Sequence, residues 1–151
     1  MEYFHHGTGI IKYDPYRGSM KNRTVNWCVV NIDRGIADYY RHWLKVEKHI
    51  HLQEPSWGGH ISLIRGELLD KSVQHLWKKY QNQQVNFIYE HGVYHCAPDN
   101  KNGGLYYWIT AECPMFGEIR KELKLPIGWR FHITIGRSYE YDAHKPKALR
   151  K

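Results

Sequence analysis

The sequence predicts an α+β domain, because strand-like and helix-like segments alternate along 151 residues without a low-complexity linker. Turn signals between neighbouring strand-like segments favour antiparallel pairing of the strands. Hydrophobic residues make up 42% of the chain and charged residues 25%, which is typical of a globular protein and not of a disordered one. From the length we expect a single domain that spans residues 1–151.

The individual elements follow from hydrophobic periodicity and from Gly and Pro positions. Residues 7–24 mix Gly, Pro and basic residues, which indicates a short extended piece followed by a loop. β-Branched and aromatic runs predict strands over residues 26–32, 60–66, 85–96, 104–113 and 129–141. Apolar residues at helical spacing predict helices over residues 36–49, 68–83 and 114–125. A turn is expected over residues 98–104 and a solvated basic tail over residues 145–151.

The charge of the chain favours an anionic partner. The formal net charge is +7 and the isoelectric point is about 9.3, which suits nucleic acid, a nucleotide, phosphate or an acidic membrane surface. A merely soluble basic protein is the alternative. The three cysteines show no C-x-x-C spacing, so we expect a reducing compartment. The chain has no apolar run of transmembrane length and no signal-peptide core, so we expect a cytoplasmic location without a membrane partner.

Two segments share a pattern of His, apolar residue, hydroxyl residue and apolar residue: HISL from His60 and HITI from His132. On a strand, alternate side chains share a face, so His60 and Ser62 point one way, as do His132 and Thr134. Imidazole is the natural acid or base near neutral pH, and a hydroxyl can donate a hydrogen bond to a phosphoryl oxygen. Two such strands side by side would line a cleft suited to in-line phosphoryl chemistry.

Chance has to be considered for so short a pattern. A chain with 11 His, five Ser and four Thr is expected to show a His-x-hydroxyl match about 0.7 times by accident. Three matches occur, and we assign the one at His6 to chance, because Gly flanks Thr8 on both sides and no strand pattern surrounds it. The alternative for the other two is polar residues at strand ends. Their matched flanks, with Gly and Arg after each motif, favour one shared site.

With these paired motifs the chain resembles the 2H phosphoesterase superfamily. The resemblance implies a bilobal fold in which two antiparallel sheet halves form a central cleft with helices on the outside, and it implies chemistry without a metal. Members open 2′,3′-cyclic phosphates, cleave 2′,5′-linked oligoadenylates or act on cyclic oligonucleotides. On this resemblance the catalytic residues are His60, Ser62, His132 and Thr134, and Ser62 stands where Thr is commoner.

More narrowly, the segments GTGIIKYDPYRG, PSWGGHISLIRGE and GWRFHITIGRSYEY resemble the phage anti-CBASS protein 1 family. These viral enzymes degrade the cyclic di- and trinucleotide signals of bacterial antiviral defence. The resemblance implies a substrate such as cyclic GMP–AMP or cyclic tri-AMP, a place in the host bacterial cytoplasm, and no obligate protein partner. It also supports substrate recognition by Tyr13 and Glu140.

Aromatic and charged residues near the motifs are candidates for substrate binding. Tyr13, Trp57 and Tyr107 could stack on bases, although core packing is the common role of such residues. Tyr107 and its neighbour Trp108 must face opposite sides of a strand, so one of them is expected in the core. The remaining candidates are Lys12 and Arg65, which could offset phosphate charge, and Glu140, which could accept hydrogen bonds from a base edge or a ribose hydroxyl.

The function that these observations favour is a metal-independent hydrolase of cyclic oligonucleotides. A 2H phosphoesterase for 2′,5′-oligonucleotides or RNA 2′,3′-cyclic phosphates is the alternative among enzymes. A non-catalytic protein that sequesters nucleotides is the alternative from another class. His49 and His51 could chelate a metal, but no Cys or carboxylate pattern completes a site, so we expect neither metal nor cofactor.

Overall fold

The part of the chain that the structure describes contains seven strands and two α-helices. The structure is a computed structural model that describes residues 4–15, 26–55, 58–96 and 105–138. In chain order its elements are β1 (Phe4–Tyr13), β2 (Trp27–Ile32), α1 (Arg34–Lys48), β3 (His60–Arg65), a 3₁₀ helix (Lys71–Leu76), β4 (Gln84–Glu90), β5 (Tyr94–His95), β6 (Leu105–Glu112), α2 (Pro114–Glu122) and β7 (His132–Ser138). Within these ranges, neither helix is long and apolar enough to cross a membrane.

All strands belong to one antiparallel sheet, with the order β4-β1-β2-β3-β7-β6-β5. A further pairing of β4 with β6, at Ile88–Glu112 and Tyr89–Ala111, closes the sheet on itself. The expected mixture of helices and strands is confirmed. The strands do not form the two separate sheet halves expected around a cleft, because β3 pairs with β7, which makes the sheet continuous, and β4 pairs with β6, which closes it.

Alternation along the strands decides which side chains enter the core. On β6, Tyr107, Ile109 and Ala111 are buried, while the residues between them are more accessible. On the motif strands, Ile61 and Ile133 are fully buried in the same apolar cluster. Burial of a large apolar side chain stabilises a fold by roughly 1.5–3 kcal/mol, so this core fixes the register of each strand.

Helix α1 begins two residues before the predicted range and ends one residue before its end. The Asp33 carboxylate accepts a hydrogen bond from the backbone N–H of Gly35 at 2.6 Å, which caps the first turn. His49 has a left-handed backbone with φ 57°, and its N–H bonds the carbonyl of Leu44, which ends the helix. On its buried face α1 carries Ala37, Tyr40 and Leu44.

The predicted helix over residues 68–83 is wrong. The chain forms a 3₁₀ helix there, and turns follow from Trp77 to Asn82. The Asp70 carboxylate accepts from the N–H and the hydroxyl of Ser72, at 2.8 and 2.7 Å, which favours a tight first turn. Lys78 and Asn82 have φ of 68° and 66°, a left-handed conformation that an α-helix cannot contain.

Two strand predictions also need correction. The opening segment does begin with an extended piece, but β1 starts already at Phe4 and includes His6, which we expected to lack strand structure. The strand expected over residues 85–96 is interrupted at residues 91–93 and resumes as β5. The turn at 98–104 and the tail at 145–151 lie outside the described residues, as does most of the loop within 7–24.

β7 is held by contacts from α1 and from the segment after it. Arg41 donates from Nη1 to the carbonyl of Ile135 at 2.8 Å. Gln53 and Arg137 exchange two backbone hydrogen bonds, at 2.8 and 3.1 Å. The chain passes so close at this point that a Cβ on Gly136 would lie 2.5 Å from the Gln53 carbonyl oxygen. A glycine is therefore required directly after the HITI motif.

Arg120 of α2 is a buried cation that ties three parts of the fold together. Its side chain is 1% exposed and makes a two-pronged ion pair with Glu67, with N–O distances of 2.6 and 2.9 Å. It also donates to the carbonyls of Leu63 at 2.9 Å and Pro126 at 3.0 Å. The guanidinium lies 4.3 Å from the ring centroid of Trp129. This hydrogen bonding holds the pKa of the Glu67 carboxyl below its usual value.

We expect Arg120→Ala to lower the free energy of unfolding by about 3–5 kcal/mol, because it leaves the Glu67 carboxylate and two carbonyls without their donor. Urea denaturation followed by circular dichroism measures the change. The matched control is Lys121→Ala, which removes an exposed cation from the next position of the same helix. A loss below about 1 kcal/mol for Arg120→Ala would show that this ion pair does not tie the elements together.

Candidate active site

The two His motifs lie on adjacent strands, β3 and β7. The pairing recorded between these strands joins Ile61 to Ile133 in antiparallel register. One step along each strand, His60 lies across from Thr134 and Ser62 across from His132. The two motifs are thus related by a local two-fold axis between the isoleucines. The histidines occupy diagonal positions, whose separation in a sheet is about 7–8 Å.

All four predicted catalytic residues line one cavity of about 1560 Å³. They are half-buried, whereas Ile61 and Ile133 between them are fully buried on the core side. The alternation of the strands therefore sends both imidazoles and both hydroxyls to the same space. An acid, a base and two hydroxyl donors in one cavity can handle a phosphoryl group.

Each imidazole is oriented by the backbone two residues before it. His60 Nδ1 lies 3.2 Å from the carbonyl oxygen of Gly58, and His132 forms a hydrogen bond with the backbone of Arg130. A carbonyl accepts, so a ring N–H is the donor in the His60 bond. With the proton on Nδ1, the neutral ring of His60 presents Nε2 as its acceptor nitrogen. The rings are held before a substrate arrives.

Burial lowers the pKa of His132 from its usual value near 6.5. The positive charge of Arg65 lowers this pKa further, and the hydrogen bond to the Arg130 backbone opposes the shift. These effects favour the neutral imidazole of His132, which is the form that accepts a proton.

β6 forms the wall of the cavity beside β7. Trp108 and Thr110 are registered against Thr134 and His132, respectively, and line the cavity. The ring centroids of Trp108 and His132 are 6.1 Å apart. Tyr107 is only 7% exposed and lies in the core. Of the two neighbouring aromatics, Trp108 is thus the one that reaches the cavity, whereas the sequence indicates Tyr107 as the candidate.

The structure brings some of the predicted binding residues to the cavity and not others. Arg65 lines it and lies 5.5 Å from the ring centroid of Trp27. Lys12 instead bonds the side chain of Asn82, and neither Lys12 nor Tyr13 lines the cavity.

Tyr13 packs in the core with 3% exposure, edge-on against Trp77. Trp57 and Glu140 lie outside the described residues. The positions of Lys12, Tyr13 and Tyr107 thus lend no support to their predicted contact with substrate.

Sequence reasoning missed several residues that line the cavity. They share a position on strands that face it or on the segment before β7: His6, Glu90, Tyr94, Tyr106, Glu112 and Arg130. Alternation along β6 was the available signal for Tyr106 and Glu112, since every second side chain of that strand from Tyr106 on lines the cavity. His6 reaches the cavity although its motif was assigned to chance, while Thr8 does not line it.

The described residues contain no group of three or more His, Cys, Asp or Glu side chains that could hold a metal ion. Paired His and hydroxyl side chains on adjacent strands of one sheet define a site for acid–base chemistry on a phosphate ester.

Comparison with protein families identifies the class of protein to which this site belongs. The model of the Swiss Army Knife 2H phosphoesterase domain, 2H-SAK, matches residues 19–144, which is more than half of the chain. The protein belongs to the 2H phosphoesterase family, which makes it a hydrolase of phosphodiesters. The superfamily resemblance is thereby confirmed. Searches of curated proteins and of solved structures found no match to the chain.

We expect His132 to titrate below pH 6.5 in the folded protein and near 6.5 in urea, because folding buries the ring. The unfolded chain then binds more protons, so this group makes the fold less stable as the pH falls below about 6.5. An NMR titration of the ring carbons measures both values, with His132→Gln used to assign the signal. A folded-state pKa at or above the urea value would contradict this account of the site.

Proposed function

We propose that the protein is a metal-independent phosphodiesterase that cleaves the 3′–5′ linkages of cyclic di- and trinucleotides. The observation that carries the proposal is the convergence of His60, Ser62, His132 and Thr134 on one cavity. Membership of the 2H phosphoesterase family supports the reaction type, and the net charge of +7 suits an anionic substrate.

The size of the cavity supports an oligonucleotide as substrate. Sites for small molecules usually measure about 300–1,000 Å³. The cavity of about 1560 Å³ exceeds that range, and it extends from the two motifs to aromatic side chains such as Trp108 and Tyr94. A substrate that carries several bases can use this space, whereas a single terminal phosphate would leave most of it empty.

The proposed mechanism uses the ribose of the substrate as nucleophile. Neutral His132 removes the proton of the ribose 2′-OH, whose oxygen attacks the phosphorus. The P–O5′ bond breaks, and His60 in its protonated form gives a proton to the leaving 5′ oxygen. The product is a linear nucleotide with a 2′,3′-cyclic phosphate. Water can then open that ring, with the two histidines in exchanged roles.

The hydroxyls and the nearby cation stabilise the charge that builds on phosphorus. Ser62 and Thr134 donate hydrogen bonds to the non-bridging oxygens, each from beside the histidine of the opposite strand. Arg65, which lines the cavity, offsets negative charge. The lowered pKa of His132 supports its assignment as the base, since burial favours the neutral ring that accepts a proton.

In its biological setting the proposed activity would remove the cyclic oligonucleotide signals of bacterial CBASS defence, such as cyclic GMP–AMP and cyclic tri-AMP. The support for this role is the resemblance of the motif-bearing segments to the phage anti-CBASS protein 1 family. A bacterial host cytoplasm is the corresponding location, and no membrane or obligate protein partner is needed.

Replacement of either histidine should slow turnover strongly. We expect His60→Ala and His132→Ala each to lower kcat/KM by roughly 10²–10⁴-fold, because each removes one proton-transfer group. The matched control is His75→Ala, an exposed histidine that does not line the cavity. Purified variants are compared by chromatography of the products. Less than a tenfold loss for either cavity histidine would remove it from the mechanism.

A substrate panel tests the substrate class. With excess EDTA, we expect cleavage of cyclic GMP–AMP and cyclic tri-AMP, and a linear product that ends in a 2′,3′-cyclic phosphate at early times. Mass spectrometry identifies the products. Cleavage limited to 2′,5′-oligoadenylate or to RNA 2′,3′-cyclic ends would assign the protein to another 2H activity. Tight binding without turnover, unchanged in the His variants, would indicate a sequestering protein.

A further inference from the structure

One wall of the cavity carries carboxylates and aromatic rings in place of cations. We call it the acceptor wall and define it by Glu90, Tyr94, Trp108, Thr110 and Glu112, all of which line the cavity. These residues lie on β4, on β6 and at Tyr94 of β5, the strands that follow β7 around the closed sheet. The proposed mechanism assigns no role to any of them.

Strand register places the acceptor wall relative to the histidines. Thr110 is registered against His132, and Glu112 against Ile88 on the other side of β6. One step along, Glu90 lies across from Thr110, so two inter-strand spacings separate Glu90 from His132. That distance is about 10 Å. Glu112 is diagonal to His132, at about 7–8 Å. If the histidines hold a phosphate, the nucleoside attached to it can therefore extend to both carboxylates.

A carboxylate in a site for an anionic substrate needs a partner other than phosphate, which it repels. Glu90 already has one, since the Tyr94 hydroxyl donates to its Oε2 at 2.9 Å. Among the described residues, the Glu112 side chain has no hydrogen-bond or ion-pair partner, and no ion pair joins it to Arg130. The groups that shift the pKa of His132 do not include Glu112. Glu112 is therefore available to a ligand and is not an orienting group for the histidine.

The rings of the acceptor wall offer a surface for a base. The ring centroids of Tyr94 and Trp108 are 6.4 Å apart with an interplanar angle of 29°. The Trp108 ring also contacts the ring of His132. Tyr94 is 47% exposed, which is a large accessible area for an aromatic side chain beside a cavity. Stacking on such a ring is favourable whichever base it is, because every base has a π-face.

We propose that the acceptor wall is the nucleobase subsite, in which a base stacks on Trp108 and Glu112 selects guanine. The inference rests on the proposed function and names the base that it recognises. Guanine presents two adjacent N–H donors on one edge, N1–H and the N2 amino group, which match the two oxygens of a carboxylate. Adenine presents one amino group there and no N1–H. Among the cyclic oligonucleotides of the proposed function, those that contain a guanine, such as cyclic GMP–AMP, are thus the ligands that this wall favours.

Binding measured without turnover tests the subsite. In a His60→Ala/His132→Ala background, isothermal titration calorimetry compares cyclic di-GMP, its inosine analogue without the N2 amino groups, and cyclic di-AMP. We expect guanine to bind at least roughly 10-fold more tightly than hypoxanthine, as a two-pronged contact does. Glu112→Gln should bring the two affinities close together, because its amide replaces one acceptor with a donor.

Two further variants make the test specific. Glu118→Gln removes an exposed carboxylate of α2 that does not line the cavity, and it should preserve the preference for guanine. Trp108→Ala should weaken all three ligands by roughly 10-fold, and Trp108→Phe should restore most of that loss. An unchanged preference in Glu112→Gln, a preference for adenine, or no binding of any of the three ligands would overturn the proposal.

The outcomes separate the subsite from the proposed function. A guanine preference that depends on Glu112, in a protein whose parent chain cleaves none of the panel substrates, would support the subsite and refute the phosphodiesterase. Cleavage of cyclic dinucleotides without discrimination between guanine and hypoxanthine would support the phosphodiesterase and refute the subsite.

Discussion

The pairing of Ile61 with Ile133 is the constraint on which the site depends. β3 and β7 meet at this pair, and both side chains are fully buried in the common core. Because side chains alternate along a strand, burying the two isoleucines sends the residues on either side of each one to the cavity. A slip of one residue on either strand would bury a histidine and expose an isoleucine. The core and the candidate chemistry are therefore specified by the same register.

Contacts around this isoleucine pair explain how the short pairing between β3 and β7 is kept in place. Arg120 donates to the carbonyl of Leu63, the residue after Ser62 on β3, and to the carbonyl of Pro126 in the segment before β7. The Gln53 backbone pairs with β7 at Arg137. None of these contacting residues lines the cavity, so the contacts hold the two motif strands without filling the space between their histidines.

Local patterns were enough to predict much of this, and long-range pairing decided the rest. Period-two alternation predicted the motif strands and placed His60 and His132 on one side of them. It could not choose between Tyr107 and Trp108, because the phase of β6 depends on its neighbours β4 and β7. We expected no strand around His6, and this prediction was wrong for the same reason. Long-range pairing with β4 makes that segment a strand. The helix over residues 68–83 failed where Lys78 takes a left-handed backbone, which apolar spacing does not reveal.

The central claim is that His60 and His132 act as one catalytic unit, and a double-mutant cycle tests it most directly. The value of kcat/KM is measured for the parent chain, each His→Ala variant and the double variant, on the cyclic oligonucleotide with the highest turnover. Groups that act together give a double variant about as slow as the slower single variant. We predict that result. Losses that multiply independently, or a double variant that retains most of the activity, would contradict the two-histidine site.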